Sequence, residues 1–201
     1  NIKSYGRDCI DSEKKAREES LATMREYISP YNDVSVIAGQ GTIGLEIDEQ
    51  SGGLDSLIVS VGGGGLVSGV ASYLKKKMKG ISIIGCSPKN SAVMIQSMEA
   101  GKILDIESKP TLSDGTAGGV EIDAVTFGIC SSLIDQTVLL DEREIKDSLL
   151  KYMRYEHQLI EGAAGTAVAA LIKSRKSIRG QRVGVIICGA NISLETFKDI
   201  L

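Results

Sequence analysis

The stretch Ser56–Lys77, SLIVSVGGGGLVSGVASYLKKK, decides the fold. Its first six residues form a short, almost continuously apolar run, as in a strand buried on both faces of a parallel sheet. Four consecutive glycines follow at once, and then a helical pattern that ends in lysines. Strand, glycine turn and helix in immediate succession read as the start of a βαβ unit. Outward from it the alternation continues. Gly80 closes the helix, Ile81–Cys86 (ISIIGC) is a second buried strand, and Ser91–Ala100 a second helix. Val138–Leu140 reads as a short strand, Asp141–Tyr155 as a helix with Ile145, Leu149 and Met153 at four-residue spacing, and Ala163–Lys173 as an Ala-rich helix. Val183–Cys188 (VGVIIC) is a further apolar strand ending at a glycine turn.

Upstream, NIKSYG suggests a short strand and Asp11–Tyr27 a helix capped by Asp11 or Ser12. SPYNDVSV reads as a loop broken by Pro30 and Asn32. Gly41–Gln50 reads as a helix with Ile43, Leu45 and Ile47 as its apolar face. The fold class expected is α/β, a mostly parallel twisted sheet with flanking helices.

Composition narrows the function classes. The chain has 201 residues, 42% apolar and 24% charged, with a net charge of −3, so it carries no electrostatic footprint for nucleic acid. The lysines at 75–79 read as a solvated helix end. No apolar run reaches the roughly 18 residues of a membrane span, and the opening residues do not read as a signal peptide. Cys9, Cys86, Cys130 and Cys188 are far apart with no CxxC pair, which suits reduced thiols and a cytoplasmic setting. His157 is the only histidine, so a Ser-His-Asp triad within this chain is disfavoured.

Gly62–Gly65 is the strongest chemical signal. Without Cβ atoms, several peptide N–H groups can crowd around one anion, and the following helix adds its positive end. No Gly-Lys-Ser/Thr follows, so a P-loop is disfavoured. GGLVSG at Gly64–Gly69 matches a dinucleotide fingerprint only loosely. The second signal is VIICGANIS, because ligands of open parallel sheets sit beyond the C-terminal ends of the strands. Cys188 taken alone reads as a plain buried cysteine.

Together, VIAGQGTIGLEI (Val36–Ile47), VSVGGGGLVSGVA (Val59–Ala71), SDGTAG (Ser113–Gly118), EGAAGTAVAAL (Glu161–Leu171) and ICGANIS (Ile187–Ser193) resemble the serine/threonine dehydratase and serine racemase group, fold-type II enzymes that use pyridoxal 5′-phosphate. The resemblance implies that the amides of Gly62, Gly63, Gly64, Gly65 and Leu66 hold the cofactor phosphate. It implies that Gly115 lies against the cofactor ring, with Glu161 near the ring nitrogen and Cys188, beside Gly189, bonded to it. It further implies a small amino acid substrate with a β-hydroxyl, a dimer or tetramer, residues 1–28 as a remnant of a small domain, and residues 29–201 as part of the cofactor-binding large domain. The family's lysine motif, S-x-K-x-R-G-A, and its Ser-x-G-N-H-type substrate loop do not occur, so no catalytic residue is assigned here. The chain by itself is expected to be inactive, with the lysine upstream. Where metal-dependent members carry acidic ligands, this chain has Cys86 and Ala92, so no metal is expected there. Two other readings stay open: a racemase or another β-hydroxy amino acid lyase of the same fold, and a non-catalytic domain that binds a phosphorylated ligand or a protein.

Overall fold

The computed structural model describes residues 2–201. Helix α1 (Cys9–Thr23) precedes α2 (Val34–Ser51), β1 (Ser56–Ser60), α3 (Gly65–Lys77), β2 (Ser82–Pro88), α4 (Val93–Ala100), α5 (Val125–Leu133), β3 (Gln136–Leu140), α6 (Glu142–Glu156), α7 (Gly162–Ser174), β4 (Val183–Val185) and α8 (Leu194–Ile200). The four strands form one sheet in the order β3-β2-β1-β4, and every pairing is parallel.

The two-residue period of β1 divides the core. Leu57, Val59 and Val61 point to one side, where they meet Val67, Val70 and Leu74 of α3 and Met94 of α4. Ile58 points to the other side, with Ile84, Leu140, Ile145 of α6 and the alanines of α7. All of these are nearly or completely removed from water. Burying each Leu or Ile stabilises the fold by about 1.5–3 kcal/mol, so the sheet is anchored from both faces. On the first side α3 lies very close to α2. A side chain at Gly69 would run into Ile37 O and Gly41 N, and one at Gly44 would lie 3.0 Å from Val70 O. Gly41 and Gly44 of AGQGTIG are therefore spacers between two helices, whereas Gly39 faces open space.

Several expected boundaries need correction. No strand forms at residues 2–6, and Asn1 lies outside the described residues. The cap of α1 is Asp8, not Asp11 or Ser12. Asp8 accepts from Ile10 N, while Asp11 sits three residues into the helix and completes a capping box. α2 begins seven residues before Gly41, because Asp33 caps it through Ser35 N and Val36 N. Leu45 is 40% exposed, since only Ile43 and Ile47, one turn apart, share the buried face.

α4 starts at Val93 because Ser91 is engaged elsewhere: its hydroxyl meets Ser108 Oγ at 2.7 Å and accepts from Gly118 N. β2 extends to Pro88, β3 starts at Gln136, and β4 stops at Val185, three residues before Cys188. α5 and α8 had no counterpart in the sequence reading. α6 behaves as its pattern predicts, with Asp141 as cap and Glu144 closing a capping box. It ends at His157, held at φ 56 in the left-handed region.

Candidate functional site

β1 delivers the chain to the glycine loop at the C-terminal edge of the sheet, and α3 departs from it. Gly64 is the residue before α3 and has φ 86, a left-handed conformation that an L side chain rarely adopts. No side chain caps α3. The first bond that closes its initial turn is Ser68 N–H to Gly64 O, at 3.0 Å. The amides of Gly65, Leu66 and Val67 thus lie at the positive end of a thirteen-residue helix with no side-chain acceptor provided.

One side of the loop is packed by protein. A Cβ on Gly62 would lie 2.9 Å from Thr116 Cα, and one on Gly64 would lie 2.7 Å from Cys130 Sγ. The Tyr31 ring covers Gly63, and Tyr31 Cα lies 3.0 Å from a Cβ position on Gly65. Thr126 Oγ1 donates to Gly63 O at 2.7 Å, and Cys130 Sγ lies 3.9 Å from Gly64 O. Gly64 and Gly65 are buried, whereas Gly62, Gly63 and Leu66 are half-buried. The glycines therefore serve close packing on one flank, and the amides of the first turn of α3 have no capping side chain.

The other predicted residues assemble by contact. Thr116, against Gly62, belongs to the single 3₁₀ turn Asp114–Thr116, which also carries Gly115. A Cβ on Gly115 would lie 3.5 Å from Glu161 Oε1, and one on Gly189 would lie 2.6 Å from both carboxylate oxygens of Glu161. Glu161 sits just before α7, and its N–H donates to Gly189 O at 3.1 Å. Its carboxylate accepts from Asn191 N at 3.1 Å and approaches Cys188 Sγ at 4.0 Å. It does not cap α7. Cys188 in turn shares an open groove of about 550 Å³ with Leu66, Ile187, Gln40, Ile43 and Ile47. Gly62–Leu66, Gly115, Glu161, Cys188 and Gly189 thus form one connected neighbourhood.

Cys188 is exposed, contrary to its reading as a buried cysteine, because β4 ends before reaching it. Partial burial of the thiol, and then the Glu161 carboxylate, push its pKa up to about 11, so it is a neutral thiol at pH 7. Cys86 is fully buried beneath the sheet edge, its thiol 3.4 Å from Val59 O, and burial raises its pKa to about 12. Ala92 is buried as well, at the start of α4. Tyr31, Thr116, Thr126 and Cys130 surround the glycine loop without having been marked in the sequence. Thr116 lies inside the quoted SDGTAG stretch, whereas Tyr31 lies in PYND, which reads as a plain loop. Among the described residues no helix is long and apolar enough to cross a membrane.

Comparison with known proteins agrees with this geometry. The family profile described as pyridoxal-phosphate dependent enzyme matches residues 1–189. The chain is 37% identical over 175 residues to the L-threonine ammonia-lyase of Thermotoga maritima, covering 87% of this chain and 43% of that protein. Its structure superposes on the processed form of threonine deaminase isoform 2 from Solanum lycopersicum with a TM-score of 0.88 and 30% identity, over 98% of this chain and 57% of the other. Maize serine racemase gives a TM-score of 0.85 at 29% identity, covering 96% and 61%. The chain spans about half the length of the curated relatives it matches. The profile matches nearly the whole chain, glycine loop and Glu161–Gly189 neighbourhood included, and the chain belongs to the pyridoxal-phosphate dependent enzyme family.

Proposed function

We propose that this chain is the C-terminal part of an enzyme that deaminates threonine or serine to a 2-oxo acid and ammonia. In this reading residues 29–201 belong to the large, cofactor-binding domain of a fold-type II enzyme, and residues 1–28 are what the chain holds of a smaller domain. The observation that carries the proposal is the uncapped start of α3 beside the glycine loop, within one connected neighbourhood with Cys188 and Glu161. Its residues fit a phosphate: bare amides, a left-handed glycine and a helix end all favour an anion.

The amides of Gly62, Gly63, Gly64, Gly65 and Leu66 would bind the phosphate and fix one end of pyridoxal 5′-phosphate. Cys188, neutral at pH 7, would meet the pyridine nitrogen without transferring a proton to it. Gly115, which has no side chain, would leave room for the ring. Glu161 would hold the turn that carries Gly189 and Asn191, and so keep Cys188 in place. When bound, the cofactor supplies a conjugated sink for negative charge at the substrate Cα. The lysine that would bond the cofactor has no motif in this chain, so the 201 residues alone are expected to be inactive. A dimer or tetramer and a cytoplasmic location complete the reading.

The test uses the protein at the full length of its relatives, supplied with L-threonine and L-serine. Ammonia and 2-oxo acid in equal amounts are expected. Inversion of serine without 2-oxo acid release would instead favour a racemase, the second reading, which the likeness to maize serine racemase motivates.

A further inference from the structure

We infer that Tyr31 is a positioning residue for the glycine loop, and that Glu13 couples it to α1, so that the placement of α1 controls the phosphate end of the site. This rests on the reading that the loop holds a phosphate. Tyr31 is 6% exposed, and its ring lies flat enough on Gly63 that no side chain could stand there. Its backbone also abuts Gly65. One aromatic residue therefore supports two of the four glycines.

Its hydroxyl is fixed from two directions. It accepts from Glu121 N at 2.8 Å and donates to Glu13 Oε2 at 3.1 Å. Glu13 is a buried carboxylate on α1 that the sequence reading gave no role. The Glu121 side chain, 6% exposed, accepts from Arg17 of α1 at 2.7 Å and from Asn32 Nδ2 at 2.6 Å. Asn32 Oδ1 accepts from Val125 N at the first residue of α5. The next residue, Thr126, donates to Gly63 O. The contacts close a circuit: α1 to Tyr31, Tyr31 to the loop, the loop to α5, and α5 through Asn32 and Glu121 back to α1. The central members of this circuit, Tyr31, Glu13 and Glu121, are buried, and buried polar groups are satisfied in one arrangement and costly in others. The loop's shape is thus set before an anion arrives, which is how a cradle of peptide dipoles gains affinity.

The experiment compares pyridoxine 5′-phosphate with pyridoxine, neither of which carries an aldehyde that could bond to surface lysines. Amide resonances of residues 62–66 report binding in the 201-residue chain, with thermal melts confirming the fold of each variant. The unsubstituted chain is expected to prefer the phosphate ester, with shifts at residues 62–66. Tyr31→Ala is expected to lower that preference about tenfold, as preorganisation is lost, while Tyr31→Phe, which keeps the ring but breaks the bond to Glu13, lowers it about threefold. Glu13→Ala is expected to move the Gly63 amide resonance before any ligand is added and to weaken the phosphate ester between those limits. If Tyr31→Ala and Glu13→Ala keep the original preference, the positioning role is overturned. If Tyr31→Ala does not fold, Glu13→Ala decides alone. If the unsubstituted chain shows no preference, the phosphate reading itself fails, a result distinct from either.

Discussion

The two ends of the candidate site are built differently. The glycine loop follows a strand with neighbours on both sides, β2 and β4, and is braced by Tyr31, Thr116, Thr126 and Cys130. The tip that carries Cys188 follows a three-residue strand at the border of the sheet, and its described hydrogen bonds at residues 188, 189 and 191 run to Glu161. The anion end is rigid by packing. The thiol end depends on one carboxylate. Substitutions in the two places should therefore fail in different ways, and that contrast can be tested.

The largest effect is expected at Gly64. Ala there must adopt a left-handed backbone and also displace Cys130 Sγ, which lies 2.7 Å from the new atom. A loss of about 2–4 kcal/mol in a urea titration is expected. A wild-type midpoint would mean that the loop is loose and the contrast false. At the other end, Glu161→Ala should leave the melting midpoint nearly unchanged but free the thiol. Without the carboxylate, the Cys188 pKa falls from about 11 towards its ordinary value. Alkylation at pH 9, in a Cys9→Ser background, should then run several-fold faster. An unchanged rate would show that burial alone controls the thiol.

Glu13 gives a smaller effect with a definite sign. Burial, the largest cause, raises its pKa above the ordinary 4.5, against the lowering effect of the Tyr31 hydroxyl. Protonation is thus easier in the folded than in the unfolded chain. Its stabilisation is complete below pH 4.5 and is lost as pH rises through the raised value. Glu13→Gln should remove that slope from a plot of melting temperature against pH. A parallel curve for the variant would place the titration elsewhere. The smallest effect is expected at His157, where Gly should relieve the left-handed backbone and stabilise α6 by about 0.5–1 kcal/mol.

What the sequence made legible follows the same division. β1 and the glycine turn were readable because a buried parallel strand is apolar throughout, and because four adjacent glycines need a reason. α6 was readable to within a residue at each end from its four-residue apolar spacing and its acidic start, although Asp141 is its cap and not its first residue. α5 was not readable, because VTFGICSSL mixes β-branched residues with a glycine and has no side-chain cap. Its helix is imposed by packing against α3. The missing seven residues of α2 were hidden by loop-like residues before Asp33, although the Asp33 cap itself was in plain sight. The end of β4 was misjudged because VIIC is apolar enough for a strand, while strand pairing depends on neighbours that hydropathy does not reveal. The contacts around Tyr31 join residues up to ninety positions apart, and no local pattern could have announced them.

His157, in its left-handed turn at the end of α6, has one more consequence. As the sole imidazole in the chain, it contributes a single pair of ring-proton signals to a spectrum. Those signals come from the C-terminal end of α6. They report on the turn four residues before Glu161, so that a change on adding ligand which leaves them still is confined to other parts of the site, and one which moves them has reached the end of α6.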